Sequence, residues 1–262
     1  MSAAVTAVFF FLAEVGFVKR FLIFIVIILL WYIVCQMQLW TPYILPSPAR
    51  VFTTCLVMVG NGELLAAIGI SLQRIAIGFV LAFLISFSLA LLGCRLPRLR
   101  PYYSYLIDFV RHVPPLSLIP LLILWAGIGE APKIIVIVLA TFAPILLNID
   151  AGLSGCDKKL LEVGQVLHLT PSQQFWQIRL PAALPNILVG LRIGLGYSLR
   201  AIIGAELVAA SSGLGYLILD AQTMSRTDKA MVGIIFIGIL GLTLDTLLKQ
   251  LINKLLPYRE EN

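Results

Sequence analysis

The sequence predicts an all-α membrane protein with six transmembrane helices. Of its 262 residues, 60% are hydrophobic and only 12% are charged, whereas a water-soluble domain needs roughly a quarter charged. Mean hydropathy is +1.00. The apolar residues stand in continuous runs long enough to cross a hydrocarbon core of roughly 30 Å as helices, unlike the short alternating segments of a β-barrel. Proline, glycine and basic residues separate the runs, and these interrupt helices and mark their ends.

Taken in order, residues 1–20 form an N-terminal cytoplasmic or interfacial segment. Its basic pair, Lys19 and Arg20, follows the apolar stretch, the reverse of a secretory signal, so the segment is expected to be retained. The transmembrane region is 21–252, and 253–262 is a cytoplasmic tail. The first span is Phe21 to Trp40, ending in a tryptophan suited to the interface. Prolines 42, 46 and 48 then stop the helix, and a short segment runs from Val51 to Val59. The second span covers Ile68 to Cys94. The third, Tyr102 to Trp125, carries "VPPLSLIP" and must bend there. The fourth is Ile134 to Asn148. A polar stretch of about thirty residues follows, then a fifth span from Leu184 to Ala210, a long loop over "SSGLGYLILDAQTMSRTD", and a sixth span beginning at Met231.

Six spans place both termini on one side, and the lysines and arginines choose the side. With the N-terminus in the cytoplasm, Lys19, Arg20, Arg95, Arg98, Arg100, Lys158, Lys159, Arg179, Lys249, Lys254 and Arg259 lie inside. Only Arg50, Lys133, Arg226 and Lys229 lie outside. Basic residues scattered at helix ends explain the net charge of +6 without nucleic acid as a partner. Cys35, Cys55, Cys94 and Cys156 form no metal-ligand spacing and read as reduced thiols. The only histidines are His112 and His168, so neither metal nor nucleophilic chemistry has a constellation to work with.

The polar stretch between spans four and five reads as helix, turn, helix. Asp157 to Leu167 is one helix. Thr170, Pro171 and Gln173 begin another through a capping box, which carries Phe175, Trp176 and Ile178 until Pro181 stops it. Apolar side chains on short polar-side helices need a partner surface, either another protein's groove or the chain's own bundle.

Glu162, a gap, then Ile178-Arg179-Leu180-Pro181 resembles the E-A-A-x3-G-x9-I-x-L-P signature of ABC importer permeases, with its spacing intact. Val163 and Gly164 replace the two alanines, and His168 stands at the motif glycine. Histidine is among the residues that tolerate positive φ, so the turn is expected to survive. "ILPSPARV", "SLQRIAIGF", "RHVPPLSLIPLLILWAGIGEAPK", "LPAALPNILVGLRIGLG", "GAELVAASSGLGYLI" and "RTDKAMVGIIFIGILGLTLD" are similar to the nitrate, sulfonate, taurine and bicarbonate subgroup, from Leu45 to Leu256. The resemblance implies a type I importer fold with a cytoplasmic coupling helix in residues 151–182. It also implies two ABC ATPase subunits docked there, a second permease chain (a homodimer), an extracytoplasmic solute-binding protein, and a small anion as cargo. The implied coupling residues are Glu162, Gly164, His168, Ile178, Leu180 and Pro181. No phosphate-binding G-x-x-x-x-G-K-[ST] loop is present, so ATP and Mg belong to the partner ATPase and this chain is no enzyme. The competing reading is a stand-alone secondary transporter or channel.

Ionisable residues at membrane depth call for a reason. Asp108, Arg111 and His112 share one face of the third span, either lining the pathway or forming an internal pair that holds helices together. Arg200 and Glu206 in the fifth span pose the same question, with a structural or gating role favoured for Glu206. Gly213 and Gly215 form either part of an outer gate or a turn. Arg74 and Arg192 are expected to snorkel from span ends, and Asp245 to pair with Lys249.

Overall fold

A computed structural model describes residues 22–96, 98 and 100–255. The expected interfacial helix at 1–20 and most of the tail lie outside these residues. Every regular element described is helical. The helices are α1 (Leu22–Gln36), α2 (Pro48–Gly60), α3 (Glu63–Arg95), α4 (Arg100–His112), α5 (Ile119–Ala126), α6 (Glu130–Ser154), α7 (Lys158–Val166), α8 (Pro171–Gln174), α9 (Leu180–Ala209), α10 (Leu214–Thr223) and α11 (Thr227–Leu255).

Among the described residues, four helices are long and apolar enough to cross a membrane: α3, α6, α11 and the run from Pro171 to Ala209. α4 and the segment Pro115–Ala126 form a broken span or a re-entrant loop bent by 86°, at the consecutive prolines where the sequence demands it. Neither Pro114 nor Pro115 can donate an N–H, and each restricts the residue before it. The described part of α1 spans about 22 Å at 1.5 Å per residue, short of the hydrocarbon thickness.

The core is the contact between α6 and α9, with α3 laid along α6. Small residues bring the backbones together. A Cβ on Gly190 would stand 2.6 Å from Asn148 Cβ, and one on Gly194 would stand 2.7 Å from Ile145 Cγ1. Helices in lipid gain stability from such close approach, because lipid tails supply no hydrophobic drive of their own. Ile145, Leu146 and Ile149 are fully buried there. Pro144 lies inside α6, and Asn148 Nδ2 donates to its carbonyl at 2.8 Å.

Two expectations fail in the fold. Pro181 does not stop the second short helix: α8 runs through a π-helical turn, Phe175–Arg179, straight into α9. In that wider turn Leu180 N–H reaches back to Phe175 O, so the backbone has already changed register where Pro181 would clash with the preceding turn. The expected loop after the fifth span contains α10, whose Leu214, Leu217 and Ala221 are buried. Its turn-like glycines and serines mark only its start.

Candidate functional site

The two ends of the bundle differ in construction. At one end, α7 and α8 form a helix pair that projects beyond α6 and α9. Asp157 caps α7, its Oδ1 accepting from Lys159 N–H at 2.9 Å. The expected capping box is present in both directions: Thr170 Oγ1 accepts from Gln173 N–H, and Gln173 Oε1 accepts from Thr170 N–H. His168, at the motif glycine, has φ 52°. This is the left-handed conformation a glycine would adopt there without cost.

The pair is clamped to itself. Gly164 is buried, and a Cβ there would meet Ile178 Cδ1 at 2.7 Å. Gln174 Nε2 donates to Leu161 O at 2.9 Å, and the Phe175 and Trp176 rings meet edge to face at 5.3 Å. Phe175 is buried and Ile178 and Leu180 are half-buried, while Glu162, His168 and Pro181 are exposed. The outer edge stays apolar and open: Val166 is 78% exposed, and Leu160, Val163, Leu167 and Trp176 are exposed too.

At the opposite end stands an ionic knot, buried at Arg74 and Glu206 and open at Glu130, which is 57% exposed. Arg74 is only 4% exposed and Glu206 is 0% exposed. All five Arg74 N–H groups are used. Nε and Nη2 grip Glu130 at 2.6 and 2.8 Å, Nη1 donates to Glu206 Oε1 at 2.8 Å, and Nη1 and Nη2 hold Ser212 O and Oγ at 2.7 and 3.0 Å. Ser71 Oγ donates to Glu206 and accepts from Leu214 N–H, while Gly215 N–H donates to Glu206 Oε2 at 2.9 Å. Lys133 completes the set with Glu130 at 2.7 Å. Two cations meet two anions, so the cluster is neutral and its polar atoms are satisfied, the condition under which buried charge is tolerated. The knot joins α3, α6, α9 and the segment leading into α10.

Gly213 has φ +109°, and a Cβ there would stand 2.2 Å from Glu206 Oε1. Gly215 packs against the same side chain, its Cβ position 2.6 Å from Glu206 Cβ. Both glycines thus exist to let the chain wrap Glu206.

The knot corrects one expectation. Arg74 does not snorkel. It lies eleven residues into α3, about 16 Å along the axis, too deep for its side chain to reach the helix end. Its signal was available, since Ser71 and Arg74 share a helix face in an otherwise apolar run. Glu206 pairs with Arg74 and not with Arg200. Asp245 likewise finds Arg192, bidentate at 2.6 and 2.7 Å, so Lys249 is not its main partner and Arg192 is held by a carboxylate.

Between the two ends, Asp108 and Arg111 do pair, at 3.3 Å, both about half exposed. Because both belong to α4, the pair ties no two helices together. His112 Nδ1 contacts Asp108 O. Arg111 and His112 border a hollow of about 350 Å³ beside the break in the bent span, with Tyr197 of α9 on its other wall. Arg200 lies one turn beyond Tyr197, its guanidinium 5.8 Å from the ring centroid.

Residues 82–257 match the family of binding-protein-dependent transport system inner membrane components. The chain is 37% identical to the putative aliphatic sulfonates transport permease protein SsuC of Bacillus subtilis (strain 168), over 93% of this chain and 88% of that one. It is 34% identical to the taurine transport system permease protein TauC of Escherichia coli (strain K12), over 90% and 88%. The nitrate import permease protein NrtB of Synechocystis sp. is 30% identical, over 90% and 88%. In fold the chain resembles the MetNI methionine ABC transporter in inward-facing conformations, with a TM-score of 0.65 at 18% identity, covering 73% of this chain and 95% of that one. A bundle of apolar helices with a projecting helix pair, and relatives this close along nearly the whole chain, lead to one assignment: the protein belongs to the binding-protein-dependent permeases of ABC transporters, in the branch of the sulfonate, taurine and nitrate permeases.

Proposed function

We propose that the chain is the membrane subunit of an ATP-driven importer for a small anion such as a sulfonate, taurine, nitrate or bicarbonate, delivered by an extracytoplasmic binding protein. The observation that carries this reading is the open apolar edge of the α7–α8 pair: Leu160, Val163, Val166, Leu167 and Trp176 around the exposed Glu162. The pair satisfies its own polar groups and buries Gly164, yet leaves this edge bare. Such an edge needs a groove on another protein. In this reading the groove belongs to an ATPase subunit that carries ATP and Mg, one for each of two permease copies paired as a homodimer.

In this reading the apolar runs give six spans, the positive-inside count puts both termini in the cytoplasm, and the family resemblance makes 151–182 the coupling segment. The continuous helix from Pro171 to Ala209 gives the device its mechanics. A push on α8 is delivered along α9 as along a rod, whereas α6 meets α7 through the break at Gly155, Cys156 and Asp157. Reversing a 1:99 ratio of inward to outward states takes a differential of about 5.5 kcal/mol, which ATP and the loaded binding protein together supply. Asp108, Arg111, His112 and Arg200 then face the pathway, and the turn at Gly213 and Gly215 closes its outer end.

The test is Glu162→Lys in the reconstituted complex. The variant is expected to fold and insert normally while solute-stimulated ATP hydrolysis and uptake fall at least tenfold. Normal stimulation and uptake would remove the docking role. Transport by the purified permease alone, without ATP, would favour a secondary transporter.

A further inference from the structure

Six arginines among the described residues, Arg50, Arg74, Arg100, Arg111, Arg192 and Arg226, each have a carboxylate partner. Arg200 does not, among the described residues; its one contact of this kind is the ring of Tyr197. It lies nine residues before the end of α9, about 14 Å along the axis. With the end of α9 taken as the membrane boundary, that is near the middle of a hydrocarbon core of roughly 30 Å. An exposed guanidinium at this depth is costly unless it faces water or a counter-charge.

Tyr197 walls the hollow of about 350 Å³ opposite Arg111 and His112. At the same level the bent span loses its helix at Val113 and Pro114. Non-helical backbone at membrane depth is tolerated only where protein buries it or a water-filled cavity borders it. Pro114 is exposed, and the hollow borders Val113 and Pro115 on either side of it. α9 meanwhile turns Gly190, Gly194 and Ser198, all buried, toward the bundle, leaving Tyr197 and Arg200 on its open face. Arg111 adds little net potential, because Asp108 offsets it.

We propose that Arg200 is the contact that binds the transported anion at mid-membrane, with Tyr197 as its positioning residue; this rests on the anion-importer reading above. The guanidinium fork matches two oxygens of a sulfonate, nitrate or carboxylate in one plane. Tyr197 holds the fork by its face, within the roughly 6 Å over which a ring attracts a cation, and leaves the N–H groups free for the solute. Specificity follows from the charge: a solute without an anionic group would leave Arg200 without a partner.

The experiment uses vesicles holding the permease with its ATPase and binding protein, assayed for uptake of taurine, methanesulfonate and nitrate. For whichever anion the wild type carries, Arg200→Gln is expected to lower kcat/KM about ten- to a hundredfold, the loss of one or two charge-assisted hydrogen bonds. Arg200→Lys recovers most of that, and Tyr197→Leu lowers it several-fold with the ATPase still bound to the permease. Unchanged kinetics in Arg200→Gln and Tyr197→Leu would overturn the proposal. So would restoration of Arg200→Glu by Asp108→Arg, which would make Arg200 an ion-pair partner between copies. Loss of the assembled complex in Arg200→Gln, with Tyr197→Leu kinetically normal, would equally assign it to structure. A wild type that moves none of the three anions sinks the importer reading itself, and an accepted anion moved equally by Arg200→Gln sinks only this inference.

Discussion

The ionic knot and the projecting helix pair occupy opposite ends of one long helix, and they solve opposite problems. At the knot every polar group is satisfied within the chain: Arg74 spends five N–H groups on Glu130, Glu206 and Ser212. At the helix pair the polar caps are closed but an apolar edge remains bare, with Val166 78% exposed. A region that is complete holds four segments in one geometry. A region left incomplete is built to be finished by another protein. α9 joins them, so the geometry fixed at one end constrains what movement at the other can do.

The sharpest way to break this comparison is Arg74→Ala. It strands Glu206 and Glu130 near each other with Glu206 fully buried, and removing one partner of a buried pair costs about 3–5 kcal/mol. A large fall in the melting temperature of the purified permease is the expected result. Replacing Arg74 and Glu206 together by methionine should recover most of it, since apolar residues of similar volume stand in well for buried ion pairs. A single Arg74→Ala variant that melts like wild type would show that the knot does not bind the outer end together.

Gly213→Ala ranks next. Its Cβ would enter the space of Glu206 Oε1, and its φ of +109° is a conformation that costs a non-glycine residue on the order of 1–3 kcal/mol. Melting should drop by a smaller amount than for Arg74→Ala, and a stable variant would mean that the segment can leave Glu206 freely. The smallest effect is a gain. His168→Gly relieves the left-handed backbone, worth about 1 kcal/mol, and slower amide exchange in α7 would register it. Faster exchange would show that the imidazole contributes more than its backbone strain removes.

Legibility in the sequence varied with the range of the interaction. The starts of α7 and α8 could be read from the sequence, because a capping box, an N-terminal aspartate and a proline at the first helical position act over three or four residues. His168 was readable for the same reason: positive φ is a property of one residue and its turn. The bend at Pro114 and Pro115 was equally local. Errors appeared wherever a residue's behaviour depended on a distant partner. Pro181 carried the mark of a helix stop, yet the π-helical turn before it absorbed the clash. The serines and glycines from Ser211 onward suggested a loop, although α10 is held by burial of Leu214 and Leu217 against other helices. Arg74, Arg192 and Asp245 were assigned by position along their own helices, when their partners lie 132, 53 and 53 residues away in the chain.

By itself the sequence determined the class of the protein, the approximate spans, the caps and turns of the projecting pair, and the family resemblance. Each rests on hydropathy, backbone stereochemistry or a fixed spacing, all of which are properties of neighbouring residues. Only the tertiary structure decided which charges neutralise one another, that Glu206 belongs with Arg74, and that Arg200 rests on the ring of Tyr197 with no carboxylate beside it among the described residues. Coulomb attraction and desolvation depend on distance in space and not on distance along the chain, so those pairings exist only once the helices have packed.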